Sequence, residues 1–297
     1  MVEHGFRKAG VEGSNPSIGF MGIDKKYSAL QKILRSSGKV LVAYSGGVDS
    51  TFLLKAAVDT LGADNVLACI GISGSLARSQ YEQAIEMARL IGAALREVPV
   101  DELNDASYAS NKADRCFHCK SHLYGLLVKE AAEAGFDKVL CGSNFDDNDD
   151  YRPGNRAAAA FGVAAPLMEA QLTKSDIRQL SRRLALGTAD LPASPCLASR
   201  VTYGLEITEQ RLKQIDEAEA FLRSLGFVEF RVRHHDEVAR IEVPAADTAR
   251  AASDPLREQI TQRLKSLGFK FVALDLAGFK SGSLNELLSP DEKQKHA

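Results

Sequence analysis

The sequence predicts an α/β protein, a parallel-sheet domain followed by a small α+β domain. Three observations carry this prediction. Short apolar runs alternate with amphipathic helical stretches from about residue 24 to residue 186. A glycine-rich turn follows the first apolar run directly and leads into a helix. After about Gly204 the pattern changes to a long helix, two alternating strands, a helix and a last strand.

The elements follow in order. Residues 1–22 are polar, contain Gly-Ser-Asn-Pro-Ser and read as a disordered tail, with Met21 serving as an alternative start. Asp24 to Arg35 has helical spacing. Lys39 to Tyr44 (KVLVAY) is a short apolar run of the kind buried in parallel sheets. Val48 to Leu61 is a helix stopped by Gly62, and Asn65 to Ile72 is the second strand. Ser79 to Ile91 is an amphipathic helix stopped by Gly92, and Leu95 to Val100 is the third strand. Cys119 to Ala134 is a helix, Lys138 to Ser143 (KVLCGS) a fourth strand, and Ser175 to Leu186 a further helix. Repeated β-α units with short connections imply a parallel sheet covered by helices on both faces. Ligands of such sheets bind beyond the carboxyl ends of the strands.

The second domain begins with a helix at Thr208 to Leu225. Val228 to His234 and Glu237 to Val243 alternate as paired strands, followed by a helix at Leu256 to Leu267 and a strand at Lys270 to Leu276. Arg-Ser-Leu-Gly-Phe at 223–227 and Lys-Ser-Leu-Gly-Phe at 265–269 share a helix-ending pattern in which Gly takes the left-handed cap. The domain boundary falls between Ser194 and Gly204, giving domains of 23–200 and 201–297.

Composition narrows the function. The 297 residues include 37 Lys and Arg against 39 Asp and Glu, a net charge of −2, with 45% hydrophobic residues. This is globular composition with no basic excess for coating nucleic acid. No apolar run approaches the roughly 18 residues of a membrane helix. Five cysteines in a chain of this length are not a disulfide scaffold, and a reducing cytoplasm is expected.

The most specific motif is Ser45-Gly46-Gly47-Val48-Asp49-Ser50-Thr51 between an apolar strand and a helix. Its glycines let backbone N–H groups approach an anion, the helix start adds its positive end, and the hydroxyls donate further bonds. Asp49 suits a Mg²⁺ ion between phosphates. The loop lacks the Gly-Lys-Ser/Thr of a Walker loop, and no G-x-G-x-x-G is present.

The cysteines divide into two kinds. Cys69 and Cys141 sit inside apolar strands and read as small hydrophobes. Cys116 and Cys119 lie in Arg-Cys-Phe-His-Cys-Lys (115–120), where Arg115, Lys120, His118 and His122 would favour thiolates, and Cys196 lies in Ala-Ser-Pro-Cys-Leu-Ala-Ser-Arg (193–200) at the domain junction. Together these three suit a metal: zinc with His118 or His122 as fourth ligand, or an iron–sulfur cluster with one iron left open.

The SGGVDS loop resembles that of the PP-loop ATP pyrophosphatases, the adenine nucleotide alpha hydrolase-like fold, whose members split ATP into AMP and pyrophosphate. Four further segments narrow this resemblance. They are Cys141-Gly-Ser-Asn-Phe-Asp-Asp-Asn-Asp-Asp-Tyr-Arg-Pro-Gly154, Pro195-Cys-Leu-Ala-Ser-Arg200 with Tyr203-Gly204, Arg231-Val-Arg-His-His235 with Ala239-Arg-Ile-Glu-Val243, and Leu274-Asp-Leu with Gly278 to Asn285. Their order and spacing resemble the LarE family, ATP-dependent sulfur transferases of nickel-pincer nucleotide biosynthesis. The resemblance implies an enzyme that adenylates a carboxylate of pyridinium-3,5-biscarboxylic acid mononucleotide and converts it to a thiocarboxylate. It implies ATP and Mg²⁺ at Ser45, Gly46, Gly47, Val48, Asp49 and Ser50, with Gly71 and Ser73 by the adenine and Asn144 and Asp147 beside the nucleotide. It implies substrate binding by Arg200, Arg231, Arg233, Glu242 and Lys280. Cysteine at all three family positions (Cys116, Cys119, Cys196) implies the variant with a 4Fe-4S cluster, in place of the variant that sacrifices a single cysteine sulfur at the Cys196 position. A small-molecule mononucleotide, a sulfur donor or iron–sulfur assembly system, and a homo-oligomer are the implied partners, with no nucleic acid and no membrane.

Two other readings compete. One is another PP-loop enzyme, a tRNA thiolase or an ammonia-dependent amidotransferase. Residues 1–204 carry 23 basic and 23 acidic side chains and residues 205–297 carry 14 and 16, which argues against tRNA. The other is a non-catalytic nucleotide-binding iron–sulfur sensor, which would bind ATP without cleaving it.

Overall fold

A computed structural model describes residues 22–148, 153–280, 286–287 and 289. The expected tail apart from Gly22, Asp150 and Arg152 of the acidic loop, and Ser281 to Asn285 of the closing motif lie outside the described residues. The first part alternates α1 (Ile23–Arg35), β1 (Val40–Ala43), α2 (Val48–Leu61), β2 (Val66–Ile72), α3 (Arg78–Ile91), β3 (Ala94–Pro99), α4 (Ala106–Ala109), α5 (Arg115–Ala134), β4 (Lys138–Cys141), α6 (Pro153–Ala160), α7 (Pro166–Glu169) and α8 (Lys174–Arg183). The second comprises α9 (Glu209–Ser224), β5 (Arg231–His235), β6 (Val238–Glu242), α10 (Ala245–Ala252), α11 (Leu256–Ser266) and β7 (Phe271–Leu274).

The four strands of the first part form one parallel sheet in the order β3-β2-β1-β4. The alternation along β1 shows why both faces need covering. Val40 and Val42 belong to a core with α1, α2, α3, α7 and α8, while Leu41 faces a second core with α5 and α6. Each such side chain contributes roughly 1.5–3 kcal/mol by leaving water. Cys69 and Cys141 are buried in β2 and β4 on the α5 side, and burial pushes the Cys69 thiol up to about 11.

The second sheet has the order β5-β6-β7, antiparallel between β5 and β6 and parallel between β6 and β7. One face carries Val232, Ala239 and Ile241 into a core with α9 and α11. Arg231 and Arg233 of β5 and Arg240 and Glu242 of β6 alternate with these residues and share the opposite face. Gly226 and Gly268, in the two similar helix endings, both have positive φ (82° and 107°) and precede buried Phe227 and Phe269.

Several boundaries differ from the sequence reading. The helix expected from Cys119 begins at Arg115, with Asp114 at its cap, so Cys116 and Cys119 fall on its first turn and a half and share one side. The fourth strand ends at Cys141 because Gly142 passes against Ser50, where an added Cβ would lie 3.0 Å from the Ser50 nitrogen. Four short helices, α4, α6, α7 and α10, were not expected. Two begin at proline, α10 follows Pro244 and α4 follows the Asp105 cap, and all are too short to show a helical period.

Residues 193–205 join the two parts through a fourth apolar cluster, in which Leu197, Ala198 and Val201 meet Tyr108 of α4 and Leu212 and Ile215 of α9. Val201 also forms a parallel bridge with His234 of β5.

Candidate active site

The phosphate loop is held open by its neighbours. Gly46 has φ +72°, and an added Cβ would lie 2.6 Å from the Ala84 Cβ of α3. Gln80 and Gln83 of α3 donate to the Ser45 and Gly46 carbonyls at 3.2 and 2.8 Å, which turns those carbonyls toward α3. The Ser45 and Ser50 hydroxyls lie 3.1 Å apart, and Gly47 is the residue before α2, so the loop ends on the helix N-terminus. This is the arrangement of N–H groups and helix dipole that receives phosphate.

Asp49 stands on the first turn of α2. Its Oδ2 accepts from Lys174 Nζ at 2.6 Å and from Asn144 Nδ2 at 3.4 Å, while its Oδ1 is buried with no hydrogen-bond partner among the described residues. That free carboxylate oxygen beside a phosphate loop fits a hard divalent cation bound with nucleotide phosphates. Lys174 is fixed at the start of α8 by a capping box between Thr173 and Asp176, and its backbone N–H donates to Asp146. Asp147 accepts from the Asn144 N–H at 3.0 Å and so shapes the turn that aims Asn144 at Asp49. Val48 is buried in the core below the loop. Gly71 lies at the carboxyl end of β2 under Leu123 of α5, where an added Cβ would be 2.9 Å from Leu123. The Ser73 hydroxyl accepts from the Ser75 N–H at 3.3 Å.

The three junction cysteines share a second locus. Cys116 and Cys119 come from α5 and Cys196 from the 193–200 loop, and all three are partly buried. They are close enough for the charge of each to act on the others. Burial, then the charges of Cys196, Glu102 and Cys116, push the Cys119 thiol well above its ordinary value. Burial also raises Cys196, opposed by the Arg115 guanidinium. Among the described residues no group of three or more His, Cys, Asp or Glu side chains is already gathered for a metal ion. The donor set nevertheless fits a thiolate-held group in kind, with three mutually interacting thiols from two segments next to a buried cation. His122 and His118 turn instead to carboxylates, His122 Nε2 lying 2.9 Å from Asp105 and His118 between Asp114 at 3.5 Å and Asp105 at 3.9 Å.

The small sheet supplies a third locus. Arg233 is buried, with Nη2 2.8 Å from Glu242, and Arg240 reaches the other Glu242 oxygen at 3.0 Å. Arg231 donates to the Phe230 and Ala193 carbonyls and lies 5.0 Å over the Phe279 ring. Burial and the neighbouring Arg200 and Arg233 charges pull the Arg231 guanidinium down to about 10. Arg200, Arg231, Arg233 and Arg240 thus stand against Glu219, Glu242 and Asp275, one positive charge in excess, which favours an anion there.

The positions inferred for Arg200 and Lys280 differ from this picture. Arg200 turns inward, 2% exposed, with Nε and Nη2 on Glu219 at 3.0 and 3.1 Å and Nη1 on the Pro195 and Cys196 carbonyls. It braces the cysteine loop and does not face a ligand space. Lys280 is exposed and makes no ion pair among the described residues. Gln80 and Gln83 escaped the sequence reading, because a glutamine on a helix carries no signal of the loop it holds.

A phosphate-receiving loop at the carboxyl edge of a parallel sheet, with a carboxylate and a lysine beside it, defines a PP-loop ATP pyrophosphatase. A family model described as NAD synthase matches residues 23–122. The pyridinium-3,5-bisthiocarboxylic acid mononucleotide synthase of Lactiplantibacillus plantarum is 38% identical over 89% of this chain and 95% of its own length. An uncharacterized protein of Synechocystis sp. is 40% identical over 90% of this chain and 99% of its own. Another, from Methanocaldococcus jannaschii, is 30% identical over 82% and 91%. The chain belongs to the LarE family of PP-loop ATP pyrophosphatases. Among the described residues no helix is long and apolar enough to cross a membrane.

Proposed function

We propose that this chain adenylates a carboxylate of pyridinium-3,5-biscarboxylic acid mononucleotide and replaces one of its oxygens with sulfur, for a nickel-pincer cofactor. The observation that carries this reading is the Cys196 loop, fastened on one side to the phosphate-loop part and on the other to the arginine face of the small sheet. The L. plantarum relative named for the bisthiocarboxylic mononucleotide supports the same substrate.

A carboxylate is a poor electrophile because it would have to expel oxide. Its oxygen attacks the α-phosphorus of ATP, the bond to the β-phosphate oxygen breaks, and pyrophosphate leaves. The loop N–H groups and Lys174 then hold the leaving charge, and Asp49 holds a Mg²⁺ ion through its free oxygen. Arg231 and Arg233 hold the carboxylates or phosphate of the mononucleotide by charge-assisted bonds. A sulfur nucleophile at the cysteine locus attacks the acyl carbon and AMP departs with the oxygen. When bound by Cys116, Cys119 and Cys196, a 4Fe-4S cluster supplies one iron without a protein thiolate, a seat for transferable sulfide.

The test is pyrophosphate release with and without the biscarboxylated mononucleotide, under anaerobic conditions. Release that depends on the mononucleotide is expected. ATP left uncleaved by folded protein, or cleaved equally without the mononucleotide, refutes the reading. Loss of one H₂S from the mass of Cys196 after a single turnover would replace cluster delivery with sacrifice of that cysteine.

A further inference from the structure

Arg115 is 5% exposed, and among the described residues no carboxylate pairs with it. Its Nη1 donates to Asn111 Oδ1 at 2.5 Å and to the Ala198 carbonyl at 3.0 Å, and its Nη2 lies 3.9 Å from the Cys116 sulfur. The guanidinium stacks over the Tyr203 ring at 5.5 Å. Asn111, which receives Arg115, gives its own amide to the Val201, Thr202 and Leu205 carbonyls. The arginine is therefore locked by neutral groups from three segments.

A buried charge with only neutral partners costs several kcal/mol, and native interiors seldom retain one uncompensated. Two other buried arginines are paired, Arg200 with Glu219 and Arg233 with Glu242, and buried Arg231, bonded to carbonyls, still lies within the field of the Glu219 and Glu242 carboxylates. Among the described residues Arg115 has no carboxylate in its surroundings; the groups within its reach that can become anionic are the sulfur atoms of Cys116 and Cys196 and the Tyr203 phenol, and a thiol ordinarily ionises at lower pH than a phenol.

We propose that Arg115 is a positioning residue for anionic sulfur, the fixed counter-cation of whatever negatively charged sulfur occupies the space between Cys116, Cys119 and Cys196. The site then takes small sulfur anions, hydrosulfide or the sulfide of a thiolate-held cluster, and discriminates against neutral sulfur compounds. The inference deepens the sulfur-transfer reading and rests on it for the ligand's role, while the positive field itself exists without any metal.

The experiment uses metal-free full-length protein and two thiol reagents of similar size, anionic iodoacetate and neutral iodoacetamide. Mass spectrometry follows alkylation at Cys116 and Cys196 in the wild type, Arg115→Gln and Arg115→Lys. The ratio of the two rates at one sulfur cancels its thiolate fraction and reports the local charge. A unit charge about 5 Å away changes that ratio about fourfold even at the dielectric constant of water, and more in a buried site. The wild-type ratio is expected to fall at least about fourfold in R115Q and to be kept in R115K. An unchanged ratio in folded R115Q overturns the proposal. Should R115Q not fold, the wild-type ratio is compared with that of the same chain in urea, and equality there overturns it equally.

On anaerobically reconstituted protein, the midpoint potential of R115Q is expected to lie below that of the wild type, with iron content retained. Wild-type protein that takes up no iron refutes cluster delivery and leaves the alkylation result standing. Iron uptake with an unchanged alkylation ratio refutes the role of Arg115 and leaves the cluster standing.

Discussion

Glu219→Gln tests whether the Cys196 loop is braced from the small domain. Glu219 is buried on α9, takes both Nε and Nη2 of Arg200, and accepts the Val232 N–H at 3.1 Å. Glutamine keeps the volume but leaves the Arg200 guanidinium buried without a counter-charge. Removing one partner of a buried pair costs about 3–5 kcal/mol. At roughly 2 °C per kcal/mol for a chain of this size, the transition that includes the small sheet should fall by about 6–10 °C. Arg200 also holds the Pro195 and Cys196 carbonyls, so amide hydrogen exchange across residues 193–200 should accelerate at the same time. Pairing the change with Arg200→Met removes the orphaned charge, and the double variant should lose less stability than Glu219→Gln alone. The assay is calorimetry with hydrogen-exchange mass spectrometry on all three proteins. A fall under about 2 °C with unchanged exchange in 193–200 would refute the bracing argument.

Lys174→Ala should lower the rate of pyrophosphate release about a hundredfold, because one preorganised charge on the leaving phosphates is lost. The part-exposed pair with Asp49 should add under about 1 kcal/mol to stability, checked by thermal unfolding. Gly46→Ala places a Cβ against Ala84 at φ +72° and should cost about 1–3 kcal/mol together with ATP binding, read by calorimetric titration. His234 is held down to about 4 by burial and by the Arg211 charge. The unfolded chain takes up that proton first, so stability is expected to fall as pH drops from about 6.5 toward 4, and less so in His234→Gln, when melting is measured against pH. Pyridine-3,5-dicarboxylate at a hundred times its Kd should stabilise the protein by about 2.7 kcal/mol, and Arg231→Met should abolish that shift in thermal melts.

The sheet was legible because β1, β2 and β4 are apolar runs buried on both faces, and glycine marks the ends of α2, α3 and α5. The phosphate loop was legible because its glycines, hydroxyls and Asp49 are contiguous. The start of α5 was not, since Arg-Cys-Phe-His-Cys-Lys offers no apolar period and draws attention as a thiol motif. Arg200 shows a different limit. A sequence shows that an arginine stands in a motif, and the side to which it turns depends on Glu219, nineteen residues further along on another element. The ion pair of Lys174 with Asp49 spans 125 residues and follows only from α8 starting beside the loop.

Arginines gathered around one short loop tie the three loci together in the structure. Arg115 of α5 donates to the Ala198 carbonyl, Arg200 to those of Pro195 and Cys196, Arg231 of β5 to Ala193 and Arg233 to Ser199. The Leu197 N–H donates to the Ser75 carbonyl beyond β2, and the Thr202 N–H to His234. Both parts of the chain therefore fix the backbone that carries Cys196, through five bonds from charged donors, each worth more than a neutral bond. In the proposed reaction the sulfur must meet the face of the acyl carbon so that a tetrahedral adduct forms and then expels AMP, and an error of about 1 Å costs on the order of a hundredfold in rate. An irregular segment ordinarily holds its side chains loosely. Here the loop borrows rigidity from the parallel sheet and the small sheet at once, so the irregular backbone leaves Cys196 accessible while the guanidinium groups hold it in place.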